Sequence, residues 1–145
     1  MTDLERMLIE RACERLCLDY AHFADHGPRE AFANLFAEDG EMVMPTGVTR
    51  GRAAIAAGGP ANPNLVMRHV TSNIRVETQS LEAASGTAYI AAYFVERDGD
   101  EGPVLTSNLS PRALGIYRDR YVKTPEGWKF ASRAFEPAIM PKPTQ

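Results

Sequence analysis

Apolar positions in the first part of the chain recur every three or four residues. Leu4, Leu8, Ala12, Leu16, Tyr20 and Phe23 form a stripe, widened by Met7, Ile9, Cys13, Cys17 and Ala24, with Arg and Glu on the opposite side. That period predicts a helix over 3–25, capped by Thr2 or Asp3. Asp25-His26-Gly27-Pro28 breaks it, because Gly relaxes the backbone and Pro can open the next helix. A second, short helix is expected over 29–37, with Phe32, Leu35 and Phe36 facing in. A strand begins at 41–44, Pro45–Gly51 reads as turn or loop, Arg52–Ala57 as a third short helix, and 58–64 as loop. The period then shortens to two. Strands are predicted over 66–78, 86–97, 113–123 and 127–136, with a polar turn at 98–102 and a hairpin turn at Thr124–Gly127. The piece 103–111 can extend a strand or form a loop, and the tail from Pro137 reads as extended. Helices first and consecutive strands afterwards give an α+β class with an antiparallel sheet.

The segment 86–97 is apolar on both sides: Tyr89, Ala91, Tyr93 and Val95 on one, Ala88, Ile90, Ala92 and Phe94 on the other. Helices can cover only one side. A second copy of the sheet would bury the other, which points to a homodimer or higher homo-oligomer; a loop of the same chain would do so as well.

At 145 residues the chain fits a single domain able to bury a core without disulfides. The net charge of −3 argues against nucleic-acid binding. No apolar run approaches the ~20 residues of a membrane span, and the charged start lacks the apolar stretch of a signal peptide, so a cytoplasmic location is expected. Cys13 and Cys17, four apart on the first helix, read as packing residues. His22 and His26 have the spacing of two metal ligands, but no glutamate completes the usual zinc-helix pattern, so no metal is expected. Neither a glycine-rich phosphate loop nor a G-x-S-x-G context is present, and no cofactor is implied.

Three residues carry candidate chemistry. His69, in MRHVTSN, is the side chain type best suited to exchange a proton near neutral pH. With period two it shares a face with Met67, Thr71, Asn73 and Arg75, while Val70, Ser72, Ile74 and Val76 form the other. Either face can claim the interior, and His69 alone is equally a half-buried residue bonded to a carbonyl. Asp25 ends the first helix, where a carboxylate meets the unfavourable end of the dipole and benefits from a partner such as an imidazole. The alternative is a solvated turn residue or a helix N-cap. Tyr20 combines an apolar body with a polar tip, suited to a pocket wall or to the core.

The order of elements, with LFAEDGEMVMPTGVTRGRAAI, RHVTSNIRVE and YVKTPEGWKFASRAFEP, resembles the SnoaL-like or nuclear transport factor 2-like superfamily, in its scytalone dehydratase-like branch. The resemblance runs from about Leu4 to Pro137. It implies a cone-shaped, curved antiparallel sheet wrapped around N-terminal helices (a cystatin-like α+β barrel) with an apolar pocket. It also implies that His69 and Asp25 stand where the dehydratase has a catalytic His and its acidic partner, and Tyr20 where ketosteroid isomerase holds an oxyanion. The chain departs elsewhere. Ala24 and Met44 fall at the dehydratase tyrosines, Phe94 near its second histidine, and Gly115 and Tyr117 near its Ser and Asn. Asn73, Met44, Phe94 and Tyr117 are then the substrate-contact candidates. The implied activity is that of a cofactor-independent lyase (dehydratase) or isomerase acting on a small hydrophobic cyclic, aromatic or polyketide-like substrate. The alternative is a non-catalytic module for a hydrophobic ligand, or a scaffold subunit related to the small subunit of ring-hydroxylating dioxygenases.

Overall fold

The computed structural model describes residues 1–99 and 102–143. A long helix, α1 (Asp3–His26), leads through α2 (Arg29–Ala33) to the hairpin β1 (Phe36–Met44) and β2 (Gly47–Arg50). A third helix, α3 (Arg52–Ala57), precedes four strands: β3 (Leu65–Thr78), β4 (Ala83–Glu96), β5 (Ala113–Thr124) and β6 (Gly127–Ile139). All six strands lie in one sheet in the order β2-β1-β6-β5-β4-β3. The sheet is mixed and does not close: β1 and β6 pair in parallel, and every other neighbouring pair is antiparallel. The parallel pair modifies the all-antiparallel expectation. It arises because the first hairpin joins the last strand across most of the chain. Among the described residues no helix is long and apolar enough to cross a membrane.

α1 starts with a capping box. The Thr2 hydroxyl accepts from the Glu5 N–H, and the Glu5 carboxylate accepts from the Thr2 N–H. It ends at Gly27, whose φ of 66° is a conformation that side chains disfavour and whose N–H bonds Phe23 O. Its buried stripe is Ile9, Cys13, Leu16, Cys17 and Tyr20. Leu4, Met7 and Leu8, placed on the apolar stripe by periodicity, are exposed, because the first turns run past the packed interior.

Three local expectations are corrected. The second helix stops at Ala33, and Phe36 already belongs to β1, which carries a register shift between Phe36 and Glu41. The stretch 47–50, read as loop, is a strand closing a tight hairpin on β1. Pro137 lies inside β6 rather than beginning the tail. The polar turn expected at 98–102 falls partly outside the described residues.

The core lies between α1, α2, α3 and the inner face of the sheet. It is dominated by Tyr20, Phe32, Phe36, Tyr117, Tyr121 and Phe130. Gly115 sits where a Cβ would collide with the Glu136 carbonyl oxygen and the Phe135 ring, so glycine allows Phe135 to lean in against Tyr117, with ring centroids 5.8 Å apart. On β4, Ala88, Ile90 and Ala92 face in, while Tyr89 on the other side is exposed.

Candidate functional site

The last turn of α1 lies against the start of β3, and there Asp25 meets His69. One carboxylate oxygen, Oδ1, lies 2.6 Å from His69 Nδ1, and the other, Oδ2, accepts the His69 backbone N–H at 2.9 Å. β3 is the terminal strand of the sheet, so this amide is an edge N–H that no neighbouring strand takes up. The carboxylate therefore answers two needs of one residue, a backbone donor and a side-chain donor. A carboxylate only accepts, so Nδ1 carries the ring hydrogen of neutral His69 and Nε2 offers a lone pair. Among the described residues no hydrogen bond occupies Nε2. The side chains of His69 and Asp25 are 11% and 7% exposed, so the pair is largely but not wholly withdrawn from water. Phe94 packs beside the imidazole, with ring centroids 5.7 Å apart, and is itself 39% exposed. It also lines a cleft of about 390 Å³ with Tyr93, Leu109, Pro111, Arg112 and Pro141.

The other candidates separate from this pair. Tyr20 points into the core, where its hydroxyl touches Met42 Sδ at 3.8 Å and stands beside the Tyr117 hydroxyl. Five residues of helix carry Tyr20 about 7.5 Å along the axis from Asp25 and turn it well away. Tyr117 is buried beside it. Met44 lies at the exposed end of β1. Asn73 is removed from the His69 face by a bulge. The β3–β4 register shifts between Ser72 and Arg75, and Asn73 adopts φ 51°. Before the bulge Met67, His69 and Thr71 face in; after it Ile74, Val76 and Thr78 do, and Asn73 is exposed. Strand alternation does not anticipate an inserted residue of this kind.

A second polar cluster lies deeper in the molecule. Arg133 on β6 donates from Nε and Nη2 to the two oxygens of Asp119 on β5, both at 2.8 Å, and the pair is essentially sealed from solvent. Arg133 Nη2 also meets Cys17 Sγ at 3.1 Å, and the Tyr121 hydroxyl donates to Asp119 at 3.0 Å. The guanidinium carbon is 4.1–4.4 Å from the ring centroids of Tyr20, Tyr117 and Phe130. Burial works against the Arg133 charge, but Asp119, by its charge and hydrogen bonds, more than reverses this and holds the pKa above the ordinary arginine value. Burial raises the Tyr20, Tyr117 and Tyr121 hydroxyls and the Cys17 thiol, and pushes the Cys13 thiol up to about 12. These groups stay neutral. Cys17 is thus a packed thiol with a weak role in the ion-pair network rather than a nucleophile. Sequence reasoning did not single out Arg133. The available signal was Asp119 between Tyr117 and Tyr121 on one strand face, a lone charge among aromatics that required a buried partner.

Relatives of known structure share this architecture. A Mycobacterium tuberculosis protein of unknown function superposes with a TM-score of 0.77 at 23% identity, covering 97% of this chain and 78% of the other. A Novosphingobium aromaticivorans protein provisionally assigned as a scytalone dehydratase gives 0.74 at 28% identity, covering 96% and 89%. A type 2 hexachlorocyclohexane dehydrochlorinase gives 0.73 at 19% identity, covering 98% of each chain. No functionally curated protein matches the sequence. The model of the SnoaL-like domain matches residues 5–134, nearly the whole chain, and with its helices laid on a curved six-stranded sheet this protein belongs to the SnoaL-like family.

Proposed function

We propose that this protein is a cofactor-independent lyase or isomerase that removes a proton from carbon next to a carbonyl in a small hydrophobic ring substrate. The observation that carries the reading is the two-point hold of Asp25 on His69, through Nδ1 and the backbone N–H. It fixes the ring orientation and presents Nε2 as the base. Once Nε2 is protonated, the imidazolium stands against a carboxylate in a largely water-free setting, which stabilises the charge that forms. The proton then returns to another carbon in an isomerisation, or assists departure of a leaving group in an elimination. Base assistance of this kind contributes about 10²–10⁴ in rate. The similarity to a protein only provisionally assigned as a scytalone dehydratase supports the reaction class. Tyr20, held by Met42 and Tyr117, forms part of the aromatic floor in this reading instead of acting as the oxyanion donor.

Proton abstraction can be followed without the natural substrate. NMR in D₂O reads deuterium incorporation next to the carbonyl of 2-tetralone, a bicyclic ketone. Wild type should accelerate exchange over buffer, and His69→Ala should lose that acceleration by a factor of about 10²–10⁴. Exchange that survives both His69→Ala and Asp25→Ala contradicts the reading. A wild type that binds the ketone without exchanging it favours a carrier of hydrophobic ligands.

The outer face of the sheet supports self-association through it. Tyr89 and Val70 are 52% and 54% exposed there. Tyr89→Glu should shift the protein towards monomer in sedimentation velocity.

A further inference from the structure

We infer that the outer face of the sheet carries a second ligand site, for a small phosphate monoester that also bears hydroxyl groups. The site is independent of the reading of His69 as a base. The outer face changes character along its strands. Val70 and Tyr89 mark its apolar part, and beyond the bulge of β3 come two polar rows. One row runs Arg75, Thr87, Arg118 across β3, β4 and β5, and the next runs Glu77, Ser85, Arg120. At Gly86, between Ser85 and Thr87, a Cβ would collide with the Arg75 carbonyl oxygen, so glycine lets β3 close up on β4 below the bulge. Arg75, Glu77, Ser85, Thr87 and Arg118 line one cavity of about 420 Å³. Arg75, Glu77 and Arg118 are exposed, so the cavity is reached from solvent.

The donors around this cavity are not used up by the fold. The Arg75 guanidinium has no ion pair or hydrogen bond among the described residues. Arg118 gives Nε to Glu136 at 2.8 Å, and neither of its terminal nitrogens has a partner among the described residues. Two strand spacings set these arginines about 9–10 Å apart at the backbone, with Thr87 between them. Guanidinium groups match phosphate oxygens with paired, charge-assisted hydrogen bonds. The Ser85 hydroxyl accepts from Gln79 Nε2, which leaves its own hydrogen to donate. Asp119 also borders the cavity, but its carboxylate is sealed against Arg133. Glu77 is then the one lining carboxylate that a ligand meets. It repels a bare anion and accepts from hydroxyls. A ligand with its phosphate at the arginines and hydroxyls at Glu77 satisfies both ends, and this sets the class.

The probes are inorganic phosphate and glycerol 3-phosphate, titrated at constant ionic strength and followed by the backbone amide signals in NMR. Saturable shifts should centre on Arg75, Thr87 and Arg118. Glycerol 3-phosphate should bind at least about threefold tighter than phosphate, from its added hydrogen bonds. Arg75→Gln should weaken both about tenfold, the loss of a charged hydrogen-bond partner. Glu77→Gln should tighten inorganic phosphate, because a like charge is gone, and should remove the advantage of glycerol 3-phosphate. Arg11→Gln, on α1 across the sheet, should change neither. The proposal is overturned if wild type shows no saturable binding, if the shifts centre elsewhere, or if Arg75→Gln binds like wild type. It is equally overturned if Arg11→Gln weakens binding as much as Arg75→Gln does, which marks diffuse charge attraction, or if glycerol 3-phosphate binds no tighter than phosphate.

Discussion

Two aspartates organise the polar interior, and they are used in opposite ways. Asp119 is sealed in the core, accepts from two guanidinium nitrogens and the Tyr121 hydroxyl, and lies in a network walled by three aromatic rings. Asp25 lies near the rim and holds one residue, His69, by two donors while the far nitrogen of the imidazole stays free. The first cluster has spent its carboxylate on structure. The second leaves one edge of the imidazole unsatisfied beside Phe94. Burial and shifted pKa values alone single out the other cluster, since the largest perturbations surround Arg133. What sets the proposed base apart from the core ion pair is an imidazole nitrogen left without a hydrogen-bond partner among the described residues.

The comparison breaks most sharply at Asp119. Asp119→Ala strands the Arg133 cation in an aromatic core, and urea denaturation should show a loss of about 3–5 kcal/mol. Alkaline titration probes the same cluster. Cys13, Cys17, Tyr20, Tyr117 and Tyr121 all hold their protons more firmly folded than unfolded. A raised folded pKa gives stability that is complete below the unfolded value and is lost as pH climbs through the folded one. For Cys13 that window runs from 9.0 to about 12. Unfolding free energy should therefore fall above pH 9, by about 1.4 kcal/mol per pH unit for each group that ionises only in the unfolded chain. Asp25→Asn should behave differently. The amide oxygen can still accept the His69 N–H, so stability should change by no more than ~1 kcal/mol in the same denaturation assay, while tetralone exchange falls. The smallest effect belongs to the exposed pair Arg118–Glu136, whose side chains are 57% and 52% exposed. Arg118→Ala should shift stability by less than ~1 kcal/mol, and less still in high salt.

Much of the architecture was readable from local pattern. α1, α3 and the four long strands follow from apolar period, because each is long enough, or sharply enough bounded by Gly and Pro, to repeat its signal. β1 was shortened because Phe36 to Gly40 reads as the end of a helix. Its strand character comes from pairing with β6, far away in sequence. The site was less accessible. Asp25 and His69 are 44 residues apart and no spacing rule joins them; the resemblance to a family suggested the pair, and only folding shows their contact. Asn73 was misplaced by a single inserted residue, which shifts every later side chain of β3 to the other face. Arg133 and Asp119 share a hairpin, yet an arginine in a strand reads as solvent-facing until its partner and ring cage are seen.

β6 is the last strand made but lies in the middle of the sheet, between β1 and β5. During synthesis on the ribosome, the first hairpin must wait for it with one side open, and Asp119 waits for its cation. A chain interrupted before Arg133 would hold a carboxylate without its Arg133 partner, and β1 and β5 would each keep one edge open. Completion of the fold is therefore tied to the carboxyl-terminal segment, and closing so long a loop late is expected to make assembly slow relative to helical proteins of this size.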